Sequence, residues 1–255
     1  MSRALVTGAT AGLGAEFARQ LAAGGADLVL VARDEARLDA TAKTLEEQHG
    51  VDVEVLSADL STVDGCDRAG ERIVSTSRPV DILVNNAGIG TYRLFGGAEL
   101  DLEEHMLDLN VRAVLRLSHA AVRAMTGRGS GHIINVSSVA GFVPRGGNVT
   151  YSASKAWVTM FSEALAVQLA GSGVHVTAVC PGFTHTEFHD RAAADMSKVP
   201  DWMWLDAGDV VAQGLADARR GKPVSVPSAK YKALTGAARH VPRPLLRRVM
   251  RRRGL

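Results

Sequence analysis

Short β-branched apolar runs alternate with longer stretches of helical periodicity from residue 3 to about residue 227, with no linker or low-complexity stretch between them. The candidate strands are Ala4 to Thr7, Leu28 to Ala32, Val53 to Ser57, Ile82 to Asn85, His132 to Val136, His175 to Val179 and Val224 to Val226. Between them lie helical spacings such as Gly14, Phe17, Ala18 and Leu21 on one face. Strand alternating with helix predicts βαβ units with right-handed crossovers, hence one doubly wound α/β domain: a parallel seven-stranded sheet with helices on both faces. The chain is long enough for that core, with 255 residues of which 46% are hydrophobic and 22% charged, and this excludes disorder and collagenous repeats. Cys66 and Cys180 are far apart and have no Cys or His at metal-ligand spacing, so no metal site and no disulfide framework is expected, and a reducing cytoplasm is the default. No apolar stretch approaches the roughly 18 residues of a membrane span, and no signal peptide is read at the start.

The first strand runs into Thr7-Gly8-Ala9-Thr10-Ala11-Gly12-Leu13-Gly14 and then an Ala-rich helix. At a strand-to-helix turn, glycine permits tight backbone angles and lets a pyrophosphate approach the main chain at the positive end of the helix. A dinucleotide fits this place, which makes the domain Rossmann-type. The spacing G-x-x-x-G-x-G departs from the usual G-x-G-x-x-G fingerprint.

Tyr151 and Lys155 are spaced i to i+4, so on a helix both side chains lie on one face. Ser138 stands thirteen residues earlier, at the end of an apolar strand. Reducing a ketone needs hydride at carbon and a proton at oxygen, where negative charge develops. A phenol with a free pKa near 10 donates poorly at neutrality unless its ionisation is eased, and a nearby ammonium such as that of Lys155 eases it. A serine hydroxyl fixes the carbonyl oxygen. Ser137, its neighbour on the strand, should point to the opposite face.

In this combination the chain resembles the short-chain dehydrogenase/reductase family. The likeness rests on the Thr-Gly-x-x-x-Gly-x-Gly turn, Asn85-Asn86-Ala87-Gly88 after the fourth strand, Asn135-Val136-Ser137-Ser138 after the fifth, Tyr151-Ser152-Ala153-Ser154-Lys155 opening the next helix and Pro181-Gly182 after the sixth. It covers roughly residues 3 to 227. The resemblance implies Tyr151 as acid/base, Lys155 as its activator, Ser138 as carbonyl binder and Asn110 as holder of a relay water. It further implies that Gly8, Thr10, Gly12, Leu13 and Gly14 cradle the cofactor with Asn86, Ala87, Gly88, Tyr151, Lys155, Pro181 and Gly182. Asp59 and Leu60 fall where the family touches adenine. Thr186 resembles the threonine that anchors the carboxamide, with Thr184 an alternative.

At the end of the second strand the position of the ribose-binding acid holds Ala32, and Arg33 follows; a guanidinium suits a 2′-phosphate, so NADP(H) is expected over NAD(H). Residues 183–206 correspond to the family's lid. Phe188, Met196, Trp202, Met203 and Trp204 in it, with Phe142, Val143 and Pro144, either face an apolar carbonyl or alcohol substrate or pack the lid against the body. No role is assigned to His185, and no metal is expected.

The net charge of +2 hides an asymmetry: residues 218–255 carry 12 Lys and Arg and no Asp or Glu, against 17 basic and 27 acidic residues before them. Residues 1–227 therefore read as the catalytic domain and 228–255 as a basic extension. In it Leu245, Leu246, Val249 and Met250 are amphipathically placed among Arg247, Arg248 and Arg251 to Arg253. Docking on the acidic body or on another subunit is one use, and peripheral contact with an anionic membrane is the other. Nucleic acid is not expected, for want of interleaved aromatics. The resemblance implies a homodimer or homotetramer.

Overall fold

The computed structural model describes residues 2–91, 93–144, 146–188, 196, 199–242, 244, 245 and 248. Seven strands form one sheet: β1 (Arg3–Thr7), β2 (Asp27–Ala32), β3 (Val53–Ser57), β4 (Ile82–Asn85), β5 (Gly131–Val136), β6 (Val174–Val179) and β7 (Val224–Ser225). Every pairing is parallel, in the order β3-β2-β1-β4-β5-β6-β7. The helices that connect and follow the strands are α1 (Gly12–Ala23), α2 (Glu35–His49), α3 (Val63–Val74), α4 (Leu100–Leu107), α5 (Ala113–Arg128), α6 (Val149–Gln168), α7 (Ala207–Arg219) and α8 (Ala229–His240).

Successive strand residues serve opposite cores, which is why the strands read as unbroken apolar runs. Leu28 and Leu30 pack with Phe17, Leu21, Leu38 and Leu215 on one face. Val29 and Val31 pack with Cys66, Ile73, Leu117 and Met125 on the other. Both cysteines are buried and free.

Strand order reverses between β1 and β4, so the chain leaves their carboxyl ends in opposite directions and opens a crevice there. Between α4 and α5, residues Asp108–Arg112 form a π-turn in which the Ala113 N–H bonds back to the Asp108 carbonyl. The wider turn carries Asn110 at the buried side of an otherwise continuous helix pair.

Among residues 228–255 the described helix is α8, and its Tyr231 is buried against Cys180 and Val226. The amphipathic stretch expected beyond it falls largely on residues 246, 247 and 249–255, which lie outside the described residues. Among the described residues no helix is long and apolar enough to cross a membrane.

Candidate active site

The Gly8 turn works because of what surrounds it. Gly8 and Gly12 hold φ of +65° and +54°, angles that side chains rarely adopt. A Cβ on Gly14 would stand 2.1 Å from the Gly8 carbonyl oxygen and 2.4 Å from Asn86 Nδ2. Gly14 therefore lets α1 start against the turn, and it lies behind the cavity wall that Gly8, Thr10, Gly12 and Leu13 form. The Thr7 hydroxyl accepts from the Asn86 and Ala87 N–H groups at 2.9 and 3.0 Å and donates to the Val84 carbonyl, tying the β1 and β4 loops together. Asn86 Nδ2 donates back to the Thr7 carbonyl at 2.9 Å. No side chain caps the start of α1, where Gly12 and Leu13 face a cavity of about 600 Å³. A glycine cradle at an uncapped helix start fits a pyrophosphate.

Beyond the cradle the wall continues through Ala32, Arg33, Asp34, Arg37, Ala58, Asp59 and Leu60. Asp34 caps α2 by accepting from the Arg37 N–H at 3.0 Å, which fixes the chain direction after Arg33. Arg37 Nη2 donates to the Thr10 carbonyl at 3.1 Å and lies 3.6 Å from Glu187 across the mouth. Burial alone would lift the Asp59 carboxyl; hydrogen bonds from the Ser61 hydroxyl and N–H, with the Arg33 charge, outweigh it and hold the group below its ordinary value.

At the other end stand Ser138, Tyr151 and Lys155, all on the cavity wall. Ser138 stands two residues beyond β5 and accepts from the Ala140 N–H at 3.1 Å, so its oxygen is fixed while its O–H remains a donor. Ser137, although it borders the cavity, donates to the Lys155 carbonyl at 2.7 Å and lies 2.7 Å from the Thr159 hydroxyl. The Lys155 ammonium is buried, donates to the Val136 carbonyl at 2.9 Å and lies 5.8 Å from the Tyr151 ring centroid. Burial lowers its pKa from 10.5 to about 8, which leaves it charged at neutrality. Asn110 is fully buried: it accepts from the Ile89 N–H at 3.0 Å and donates to the Ile89 carbonyl at 2.8 Å. Its side chain thus holds the 86–89 loop and lies behind the wall rather than in it.

The model of the short chain dehydrogenase family matches residues 2–197. The chain belongs to that family. A putative ketoacyl reductase from Streptomyces coelicolor is 39% identical over 189 residues, covering 72% of this chain and 70% of the relative. Among solved structures, a short-chain dehydrogenase from Sphingobium yanoikuyae in complex with NADPH superposes with a TM-score of 0.86 at 36% identity, covering 94% of each chain. A bulky-bulky ketone specific alcohol dehydrogenase from Comamonas testosteroni gives 0.81 at 30% identity over 95% of each. The chain is a short-chain oxidoreductase with a Rossmann-like sheet.

Set on this short-chain dehydrogenase frame, Asn86, Ala87, Gly88, Pro181, Gly182, Thr184 and Thr186 all reach the cavity wall. The two threonines part company: Thr184 donates to the Gly182 carbonyl at 3.1 Å, while a Cβ on Gly12 would meet Thr186 Cβ at 3.3 Å. Thr186 therefore overhangs the glycine cradle. The apolar loop residues separate likewise. Val139, Ala140, Phe183 and Phe188 line the cavity, whereas Phe142, Val143, Pro144, Trp202 and Trp204 do not. Trp204 stacks on His185 at 4.5 Å, and Trp202 is mostly exposed. Phe188 instead comes 5.7 Å from the Tyr151 ring, over Gly90, where a Cβ would be 2.9 Å from Phe188 Cζ. Arg37, on the cavity wall, and Thr7, which ties the loops behind it, are two residues that sequence reasoning gave no role. The first was hidden one helical turn beyond Arg33, the second was read only as part of a motif. Among the described residues no group of three His, Cys, Asp or Glu side chains could hold a metal ion.

Proposed function

We propose that this short-chain dehydrogenase is an NADP(H)-dependent reductase of apolar ketones, aldehydes or 3-oxoacyl compounds. The observation that carries the reading is one continuous cavity with two chemically distinct ends: the Gly8–Gly14 cradle beside Arg33 and Arg37, and the Ser138, Tyr151, Lys155 set. When bound, the dinucleotide supplies hydride to the carbonyl carbon. Ser138 donates to the carbonyl oxygen and fixes it. Tyr151 gives the phenolic proton to that oxygen, and the Lys155 ammonium stabilises the phenolate left behind. Arg33 and Arg37 favour the 2′-phosphate, since two guanidinium groups would otherwise crowd the ribose with positive charge. Asp59 and Leu60 border the adenine. Asn110 acts by holding the Ile89 backbone and, with it, Gly88 above Lys155. The complex with NADPH and the ketone dehydrogenase among the solved relatives support the same reading. Fluorescence titration with NADPH and NADH, followed by a panel of hydrophobic ketones, aldehydes and 3-oxoacyl thioesters, tests it. Tight NADPH binding with turnover that Tyr151→Phe abolishes is the expected result. Undiminished turnover in that variant removes the catalytic assignment.

A further inference from the structure

Tyr231 lies outside the cavity wall, yet it ties the wall residues Gly182 and Phe183 to the segment at 202–204. Its ring is buried against Gly182, where a Cβ would fall 2.1 Å from Cε2, so the ring occupies the space a side chain there would need. Its hydroxyl accepts from the Phe183 N–H at 3.2 Å and donates to the Met203 carbonyl at 2.8 Å. Those two bonds use a phenol's single proton and one of its lone pairs. The neighbouring Lys230 donates to the carbonyls of Trp202 and, at 3.2 Å, Trp204. Three successive carbonyls, at positions 202, 203 and 204, thus accept from the first turn of α8.

From these anchored limbs residues 183–188 extend along the cavity wall. Phe183 and Leu205 are directly bonded, Leu205 N–H to Phe183 carbonyl at 2.8 Å, and the His185 N–H returns to Leu205 at 3.1 Å. From that base the chain runs through Thr184, Thr186 and Glu187 along the cavity to Phe188, whose ring meets Tyr151. Four residues lie between Phe183, where Tyr231 accepts its hydrogen bond, and Phe188, whose ring meets Tyr151.

We propose that Tyr231 is a positioning residue for substrate, acting through Phe183 and the 183–188 overhang on the Phe188 face of the substrate space. It touches neither cofactor nor reacting atoms. The inference rests on the reductase reading. α8 is by this account a working part of the site, and its first turn sets how closely the overhang approaches Tyr151.

The test uses the full chain loaded with NADPH and a ketone that the wild type reduces. Tyr231→Phe keeps the ring against Gly182 and removes only the hydroxyl. Losing hydrogen bonds of this kind should raise KM about five-fold, with kcat, the kcat pH midpoint and the NADPH Kd all within about two-fold. An unchanged KM with a lowered Tm overturns the proposal, because the hydroxyl is then merely structural. A moved pH midpoint also overturns it, since Tyr231 would be acting on the proton transfer itself. Should wild type bind NADPH but reduce none of the panel, the reductase reading fails separately, and acrylamide quenching of tryptophan emission decides. Greater quenching of Trp202 and Trp204 in the variant supports the anchor, and equal quenching overturns it. Lys230→Met, at the half-exposed flank of the same anchor, gives the same readouts if Tyr231→Phe does not fold.

Discussion

The Lys155 ammonium donates to the Val136 carbonyl at 2.9 Å from a buried position, so the last residue of β5 holds the charge that lies 5.8 Å from the Tyr151 ring. Burying that charge costs stability. Its pKa falls from 10.5 to about 8, so the penalty is fully present below pH 8 and is relieved as pH rises from 8 towards 10.5, where the native state sheds its proton before the unfolded chain does. Lys155→Met should abolish turnover and raise stability at pH 7. Urea unfolding at pH 7 and pH 9 checks this: wild type should gain relative to the variant between the two, and a constant difference would remove the linkage.

Gly14→Ala places a methyl group 2.1 Å from the Gly8 carbonyl oxygen, which is backbone and cannot swing away. The start of α1 must shift, at about 1–3 kcal/mol for overpacking of this kind. Chemical denaturation should show that loss, and NADPH titration a weakened complex, although Gly14 itself never reaches the cavity.

Arg33→Ala should weaken NADPH by about 10- to 100-fold while leaving NADH nearly unchanged, as expected for loss of charge-assisted bonds to a phosphate. Glu187→Gln probes the pair at the mouth. Both partners of Arg37 and Glu187 are half-exposed at 3.6 Å, so unfolding free energy should change by less than about 1 kcal/mol. Equal loss of NADPH and NADH in Arg33→Ala would show that the guanidinium does not read the 2′-phosphate.

Much of this architecture is legible in the chain because the relevant physics is local. Strands buried on both faces leave unbroken runs such as Leu28 to Val31, whereas Ser137 and Ser138 both border the cavity beyond the end of β5 and differ in their hydrogen bonds. What stays hidden depends on partners distant in sequence. Nothing near Asn110 announces a π-turn or a bond pair to Ile89. Composition leaves Trp202 and Trp204 either facing a substrate or packing the lid, and only the tertiary path shows Trp204 stacked on His185 and Phe188 placed at Tyr151. Tyr231 lay in a stretch read as a charged appendage, because charge counting cannot see one buried phenol.

Asn110→Ala strips both bonds from the Ile89 backbone, leaving a half-buried N–H and C=O without these partners, at a cost of at most about 1–3 kcal/mol. A Cβ on Gly88 would stand 2.9 Å from Asn110 Oδ1 and 3.5 Å from Lys155 Nζ, so the loop and the ammonium share this contact. Turnover should therefore fall together with Tm in Asn110→Ala, and NADPH Kd should rise. Lost turnover at unchanged Tm and Kd would instead place the amide's contribution in proton transfer alone.

His132 and His175 face each other across β5 and β6, with ring centroids 5.3 Å apart, at the end of the sheet away from the cavity. Burial lowers the His132 pKa from its ordinary 6.5, and the charges of His175 and Arg219 lower it further. A depressed native value means that the unfolded chain takes up the proton first as pH falls. The stability contribution is complete above about pH 6.5 and is lost below it, towards the native pKa. Unfolding free energy should thus drop between pH 7.5 and 5.5, and His132→Gln, which keeps a polar side chain without a titrating ring, should flatten that drop. NADPH affinity should not follow the same curve, because the pair sits at the amino ends of its strands while Val136 and Val179 carry the cavity side. A variant with the wild-type pH slope would place the acid sensitivity elsewhere, among the carboxylates.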